Sequence, residues 1–190
     1  MTANSTSSES CKGVAKVGIA GDPRSVSIGA RSAWALEQHR LHGARLREDE
    51  VVDRLLAELR AGVAASREAM ISAGLVEDCR TCEEQEGGSC CGHGMEDHYD
   101  GVLLLINLLL GAVIEAQWRD EESCVFLGSV GCRLPARDHI CVNYLCMKVG
   151  ERISPPALAE MRKRQGRELH TLFVLTDHVT SLLRGIGALS

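Results

Sequence analysis

The chain has 190 residues, of which 45% are hydrophobic and only 3% are aromatic, a size that allows one domain with a sizeable core. Its formal net charge of −5 argues against broad nucleic-acid binding, which needs Lys and Arg to replace counterions along the phosphates. The N-terminal residues lack the basic start and the apolar core of a secretory signal, so we expect a cytoplasmic protein. With so few aromatic residues, the core must consist of Leu, Val, Ile, Ala and Met, which favours helices.

Two regions are predicted along the chain: a flexible N-terminal arm over residues 1–28 and a single helical domain over residues 29–190. The arm is rich in Ser, Gly and other small polar residues. From Ala30 to Ala73 the pattern becomes helical, with apolar residues at spacings of three, four or seven: Val52, Leu56, Leu59, Val63 and Met70. We interpret this region as one long amphipathic helix or two. The segment Leu41-His42-Gly43 is the expected break, because glycine weakens a helix interior.

Two further helices are predicted in the second half of the chain. The segment from Tyr99 to Trp118 is apolar on nearly all sides, which is typical of a helix in the middle of a bundle. Its apolar run, Gly101 to Ile114, is too short to span a bilayer. Ser154 is a predicted N-cap before two prolines, and the helix that follows keeps a spacing of three or four to the end of the chain. We expect this last helix to pack on the 52–70 region or on a second subunit, so a homodimer is possible.

Eight of the nine cysteines form two clusters on either side of the predicted buried helix. The clusters comprise Cys79, Cys82, Cys90, Cys91, Cys124, Cys132, Cys141 and Cys146. In a reducing compartment such clusters are metal ligands or redox groups more often than structural disulfides. Thiolate is a soft ligand that selects zinc or iron–sulfur clusters. All eight are therefore candidate ligands, whereas Cys11 lies alone in the arm and should be dispensable.

These patterns predict an all-α fold: a helical bundle with an irregular, cysteine-rich metal-binding knot formed by two loops within residues 79–146. A centre that joins both clusters most simply uses Cys79, Cys82, Cys141 and Cys146. The remaining candidates are Cys91, Cys124 and Cys132. Because Cys90 and Cys91 are neighbours and point in different directions, they need not serve the same centre. One site with spare sulfurs and two separate sites both stay open.

Charged residues and histidines also lie close to the cysteines in sequence. Three arginines, Arg80, Arg133 and Arg137, either compensate thiolate charge or are ordinary solvated side chains. Three histidines, His93, His98 and His139, either replace a cysteine ligand or, more commonly, lie at the surface. The sequence contains no phosphate-binding glycine loop, no Gly-x-Ser-x-Gly elbow and no His-Glu-x-x-His motif, so an enzymatic activity is not predicted.

The order of these landmarks resembles a known family. The C-x2-C pair, the vicinal pair Cys90-Cys91, the run Cys124-Val-Phe-Leu, Gly131-Cys132, an arginine before Cys141 and an aromatic residue before Cys146 are similar to YkgJ-type cysteine-cluster proteins. The resemblance covers residues 79–146 and implies a zinc- or iron-chelating domain. The chain departs from the family pattern in its longer gap before the vicinal pair and in Arg137-Asp138, where the family has Arg-Pro.

The sequence thus favours an iron–sulfur cluster of the 4Fe-4S type, held by the clustered cysteines and used in electron transfer or as an accessory to a redox system with a protein partner. Irregular cysteine spacing, intervening glycines and an adjacent buried helix suit such a cluster. The alternatives are a zinc-binding structural or metal-handling module that mediates protein interaction, and an enzyme whose cluster has an open coordination site.

Overall fold

The computed structural model describes residues 26–85, 90–114, 121–129 and 131–189. Nearly all of the predicted arm, with Cys11, lies outside these ranges.

Helices dominate the described chain, as predicted, and a short antiparallel hairpin is the departure from an all-helical description. The helices are α1 (Ile28–Glu48), α2 (Glu50–Ser72), α3 (Leu75–Gln85), α4 (Gly101–Leu109), α5 (His139–Asn143), α6 (Met147–Arg152) and α7 (Pro155–Gly185), with a short 3-10 helix at Met95–His98. The hairpin strands are β1 (Leu127–Gly128) and β2 (Gly131–Cys132).

The two longest helices, α2 and α7, pack against each other along their apolar faces. Leu56 and Leu59 of α2 and Leu175 of α7 are buried in one hydrophobic core. A Cβ added at Gly62 would lie only 3.3 Å from the Cα of Glu168, so this glycine allows the two backbones to approach closely. The predicted packing of the 52–70 region on the last helix is therefore confirmed.

The α4 helix forms the centre of the core, and every residue from Val102 to Leu109 is buried. Helix α1 packs on it, and the ring of Trp34 lies so close to Gly101 that an added Cβ would be 2.5 Å from the ring. The buried helix was predicted correctly, but its predicted extent of 99–118 was too long. It ends at Leu109. Gly111 follows with a positive φ of 90°, which is incompatible with continuation of a right-handed helix. Residues 115–120 lie outside the described chain.

The predicted break at Leu41-His42-Gly43 is wrong, because α1 continues through these residues to Glu48. Gly43 packs against the imidazole of His39, where an added Cβ would be 3.0 Å from the ring, so its small size serves packing within a continuous helix. The break lies at Asp49 instead. Its carboxylate accepts the backbone N–H groups of Val51 and Val52, both at 3.0 Å, and begins α2 as an N-cap.

The N-terminus of α7 forms as predicted, with the Ser154 hydroxyl accepting the N–H of Ala157 ahead of the two prolines. No helix in the described ranges is both long and apolar enough to cross a membrane. Phe173 on α7 is 71% exposed, but homodimerisation through amphipathic helices stays a prediction.

The α2–α7 interface provides a direct test of the core. Leu56→Asp should lower the free energy of unfolding by more than about 3 kcal/mol, because it removes buried apolar contacts and leaves a carboxylate without a partner. Leu41→Asp is the matched control, since Leu41 is 52% exposed. Urea unfolding of the two variants measures the difference. Equal, small effects of both substitutions would contradict the assigned core face.

Candidate metal centre

Main-chain hydrogen bonds join the two cysteine clusters, although α4 separates them in sequence. The Cys124 N–H donates to the Cys91 carbonyl at 2.8 Å, and the His93 N–H donates to the Glu122 carbonyl at 2.6 Å. Between these bonds, Gly92 and Ser123 form an antiparallel bridge. The segments before and after α4 therefore lie side by side, and Cys91 and Cys124 are direct neighbours.

The cysteines lie on regular elements more often than the sequence predicts. Cys79 and Cys82 are on α3, where a spacing of three residues places both on one face of the helix. Cys132 is on β2, Cys141 is on α5, and Cys146 is the N-cap residue of α6. The expectation that two irregular loops hold all eight cysteines is therefore wrong for these positions. A helix face can present two sulfurs to one centre as well as a tight loop can.

Five cysteines form a group at the surface, which we call the outer thiols: Cys79, Cys82, Cys90, Cys91 and Cys146. Cys79 and Cys90 are exposed residues whose sulfurs are partly covered. This partial burial, followed by the negative charges of Cys91, Cys146 and Cys82, raises the pKa of Cys79 to about 11. Burial and the charges of Cys91 and Cys79 raise the pKa of Cys90 to about 12. The other outer thiols are thus close enough to Cys79 or Cys90 for their charges to disfavour ionisation of these two sulfurs.

The other three cysteines, Cys124, Cys132 and Cys141, form a second group, which we call the inner thiols. The Tyr99 hydroxyl lies 4.0 Å from the Cys132 sulfur and donates to the Cys141 sulfur at 3.9 Å. Burial first, and then the charges of Asp138, Cys132 and Cys91, raise the pKa of Cys141 to about 12, although the Tyr99 hydrogen bond opposes this rise. Cys91 therefore interacts electrostatically with members of both groups.

Tyr99, which lies next to the inner thiols, is held by contacts with the core and with α1. Tyr99 is 1% exposed and meets Phe126 edge to face, with ring centroids 5.0 Å apart. Burial raises the pKa of the Tyr99 hydroxyl, which keeps it a hydrogen-bond donor. Arg31 of α1 donates to the carbonyls of Asp97 and Tyr99 at 2.8 Å and 2.7 Å, and so fixes the segment that carries Tyr99.

The eight cysteines in the described ranges form no disulfide bond. Burial and nearby charges raise the pKa of Cys79, Cys90, Cys124 and Cys141 and favour their neutral thiols, and a bound cation would reverse this by stabilising the thiolates. As positioned, however, no three His, Cys, Asp or Glu side chains among the described residues are arranged to hold a metal ion. Metal binding therefore requires the side chains to turn toward a common point. It also releases protons, because each thiol ligand must ionise.

The three arginines near the cysteines have different surroundings. Arg80 pairs with Glu77 at 2.6 Å, and Arg133 donates to the Val125 carbonyl at 2.5 Å. Arg137 instead extends into the bundle, where it is 8% exposed and lies 4.0 Å from the Glu168 carboxylate. Arg137 therefore connects the second cysteine segment to α7.

Of the three histidines near the cysteines, two lie beside carboxylates and one lies in the 3-10 helix. His93 lies 3.9 Å from the Glu96 carboxylate, and His139 lies 3.3 Å from Asp138, with both imidazoles well exposed. His98 is half-buried in the 3-10 helix.

Two residues that interact with the inner thiols, Glu96 and Tyr99, were not among the candidates predicted from the sequence. Glu96 is 3% exposed, and the charge of its carboxylate acts on the Cys124 thiol. The only signal in the sequence is position, because both residues follow Cys91 within a short polar stretch that leads into the apolar helix. Nothing in a single sequence marks a glutamate in such a stretch as buried.

Comparison of the chain with protein-family models, with curated proteins and with solved structures finds no match. The candidate site is therefore interpreted from its own residues.

The inner thiols predict the pH dependence of the metal-free protein. Burial, followed by the nearby charges of Glu96, Cys132 and Cys141, raises the pKa of Cys124 from 9.0 to about 12, against a backbone hydrogen bond with Phe126 that lowers it. Between pH 9.0 and about 12, Cys124 has lost its proton in the unfolded chain but keeps it in the folded chain. The contribution of Cys124 to stability is therefore complete below pH 9.0 and declines as the pH rises toward about 12.

Urea unfolding of reduced, chelator-treated protein at about pH 8 and about pH 10.5 measures this decline. Cys124→Ser is the control, because it removes one group that titrates in this range. Its loss of stability over the same interval should be smaller than that of the parent. An equal loss in both proteins would show that the Cys124 thiol ionises as freely in the folded chain as in the unfolded one.

Proposed function

We propose that this protein binds an iron–sulfur cluster through its outer thiols and acts in electron transfer or as an accessory to a redox system. The observation that carries the proposal is the gathering of five cysteines from α3, from the segment before the 3-10 helix and from the start of α6. Soft thiolate donors in such number select iron–sulfur clusters or zinc over harder cations.

The spread of the outer thiols favours a cluster over a single zinc ion. A structural zinc ion and a 4Fe-4S cluster each take four cysteine ligands, but zinc needs all four sulfurs at about 2.3 Å from one point. A cluster of the 4Fe-4S type is several atoms across, so it can reach sulfurs that are too far apart to meet at one ion. Zinc in the same group would make the protein a structural or metal-handling module, which is the alternative that the experiment below distinguishes.

The surface position of the outer thiols supports a role in electron transfer. Cys79 and Cys90 are exposed, so a cluster they hold would lie near the protein surface. On either side of Cys146, Tyr144 is 42% exposed and Met147 is 83% exposed. Exposed aromatic and methionine side chains beside a centre are suited to contact with a protein partner. The expected partner is a redox protein, and the described residues suggest no catalytic side chain.

The proposal also accounts for the resemblance to YkgJ-type proteins, which implies metal chelation over residues 79–146. That family relationship is a proposal, based on the order of the cysteines and on the electrostatic interactions among the outer thiols.

Anaerobic purification followed by iron, acid-labile sulfide and zinc analysis tests the proposal. We expect iron and sulfide in equal amounts, with absorbance at about 400 nm. Cys79→Ser and Cys146→Ser should each reduce the iron content severely, because a serine hydroxyl is a harder and poorly ionised donor. Cys11→Ser is the matched control and should keep the full iron content.

Two outcomes would contradict the proposal. Iron content that is unchanged in both Cys79→Ser and Cys146→Ser would exclude the outer thiols as ligands. A colourless protein that contains zinc, and loses it in these two variants, would replace the iron–sulfur cluster by the zinc-binding module.

A further inference from the structure

Cys91 and Cys124 lie directly opposite each other on two segments that run antiparallel. Main-chain hydrogen bonds flank the Gly92–Ser123 bridge on both sides, and one of them joins the Cys124 N–H to the Cys91 carbonyl at 2.8 Å. In an antiparallel pair, the residue before one bridge partner faces the residue after the other. The main chain alone therefore makes these two cysteines cross-strand partners.

The spacing of such partners suits a disulfide bond. Opposite residues of an antiparallel pair have Cα atoms about 4.5 to 5.5 Å apart, and their side chains lie on the same face. A disulfide bond needs Cα atoms about 4.4 to 6.8 Å apart and Cβ atoms that approach each other. Cys91 and Cys124 thus meet the backbone requirement without movement of the segments that carry them.

The core packs around the same two side chains. Cys124 is 6% exposed and belongs to the hydrophobic core, and the half-buried Cys91 packs against that core. Cys90, the preceding residue, is exposed, as expected where successive side chains of an extended segment point to opposite sides. A disulfide bond carries no charge and no strong hydrogen-bonding group, so a partly buried apolar place suits it.

We propose that Cys91 and Cys124 form a reversible disulfide bond by exchange with a small-molecule disulfide such as oxidised glutathione. The pair is then a redox-sensitive site distinct from the metal centre. This inference is independent of the iron–sulfur proposal, because a 4Fe-4S cluster takes four cysteine ligands and does not require Cys91. The other outer thiols supply that number: Cys79, Cys82, Cys90 and Cys146.

The exchange proceeds in two steps that conserve electrons and protons. The Cys91 thiol, which is the more accessible of the two, loses its proton, and the thiolate attacks one sulfur of glutathione disulfide. That step breaks the glutathione S–S bond, releases one glutathione thiolate and leaves a mixed disulfide on Cys91. Cys124 then loses its proton, attacks the Cys91 sulfur and releases the second glutathione. The pair gives up two electrons and two protons, and glutathione disulfide accepts both as it becomes two thiols.

The disulfide bond would make the pairing of the two cysteine segments covalent. The closed loop runs from Cys91 to Cys124 and contains α4. A cross-link removes conformations of the unfolded chain, so the oxidised form is the more stable against unfolding. Under reducing, anaerobic conditions the pair remains two thiols, and main-chain hydrogen bonds alone join the segments.

Cysteine mapping of the full-length, anaerobically purified chain tests the site. The protein is equilibrated with excess reduced or excess oxidised glutathione, denatured, alkylated, digested and analysed by mass spectrometry. In excess oxidised glutathione, we expect one cross-link that joins Cys91 to Cys124, and alkylation of both should fall by at least about tenfold. Excess reduced glutathione should restore the alkylation. The urea midpoint of the oxidised protein should exceed that of the reduced protein.

Three variants assign the roles of the sulfurs. Cys124→Ser should retain one glutathione on Cys91, because no second sulfur resolves the mixed disulfide. Cys91→Ser should keep its iron and carry no glutathione on Cys124, since that thiol is buried. Cys90→Ser is the matched control, because it removes the adjacent cysteine and should keep the cross-link. Mapping of the unaltered chain decides the question even if a variant fails to fold.

Three results would overturn the redox site. The first is the absence of any cross-link in excess oxidised glutathione. The second is a cross-link within another pair, such as Cys79–Cys82 or Cys132–Cys141. The third is loss of iron in Cys91→Ser, which would assign this sulfur to the cluster. Mapping identifies the cross-linked cysteines whether or not the chain contains iron, so failure of this inference and failure of the iron–sulfur proposal are distinguishable.

Discussion

The hydrogen bond from the Cys124 N–H to the Cys91 carbonyl, with the Gly92–Ser123 bridge beside it, is the contact on which the candidate site depends. These residues lie on opposite sides of α4 in sequence, and the nine-residue helix fills the core between them. By pairing the two segments, the chain brings cysteines that are far apart in sequence into electrostatic contact. Without this pairing, α3 would present two sulfurs and the second cluster would have no fixed relation to them.

The second cysteine segment is attached to the bundle by buried polar contacts. The Asn107 side chain, fully buried on α4, donates to the carbonyls of Leu103 and Ala136 and accepts the Ala136 N–H, each at 2.9 Å. The next residue, Arg137, reaches Glu168 of α7, whose carboxylate is completely buried and has no hydrogen-bond partner. A buried carboxylate this close to a guanidinium is stable only while both remain in place. Asn107 and Glu168 therefore position the segment that leads to Cys141.

Sequence reasoning predicted those features of the fold that rest on periodicity. The faces of α2 and α7, the buried character of α4 and the Ser154 cap all follow from spacing and capping rules, which act locally. Element boundaries that depend on tertiary contacts were missed. Gly43 suggested a break, but it packs on His39 inside α1, and the true break at Asp49 depends on a carboxylate that also lies 3.0 Å from His178 of α7.

The sequence predicts which side chains supply the donor atoms of the candidate site, but it does not predict how those side chains are grouped. Eight cysteines in two clusters indicate thiolate chemistry without any structure. The division into outer and inner thiols depends on the Cys91–Cys124 pairing, which no local pattern encodes, and it places Cys141 beside Cys124 and Cys132 rather than beside Cys146. Glu96 was missed because burial of a carboxylate is a tertiary property.

Native mass spectrometry of the intact, anaerobically purified chain tests the central claim most directly, namely that the paired cysteine segments form a thiolate metal site. The account predicts a single species whose mass exceeds that of the reduced polypeptide by one 4Fe-4S cluster. Denaturation in acid should return the mass of the chain with every cysteine reduced. A metal-free native species would contradict the account, and so would a mass that is lower by pairs of hydrogens after denaturation, because disulfides would then occupy the thiols.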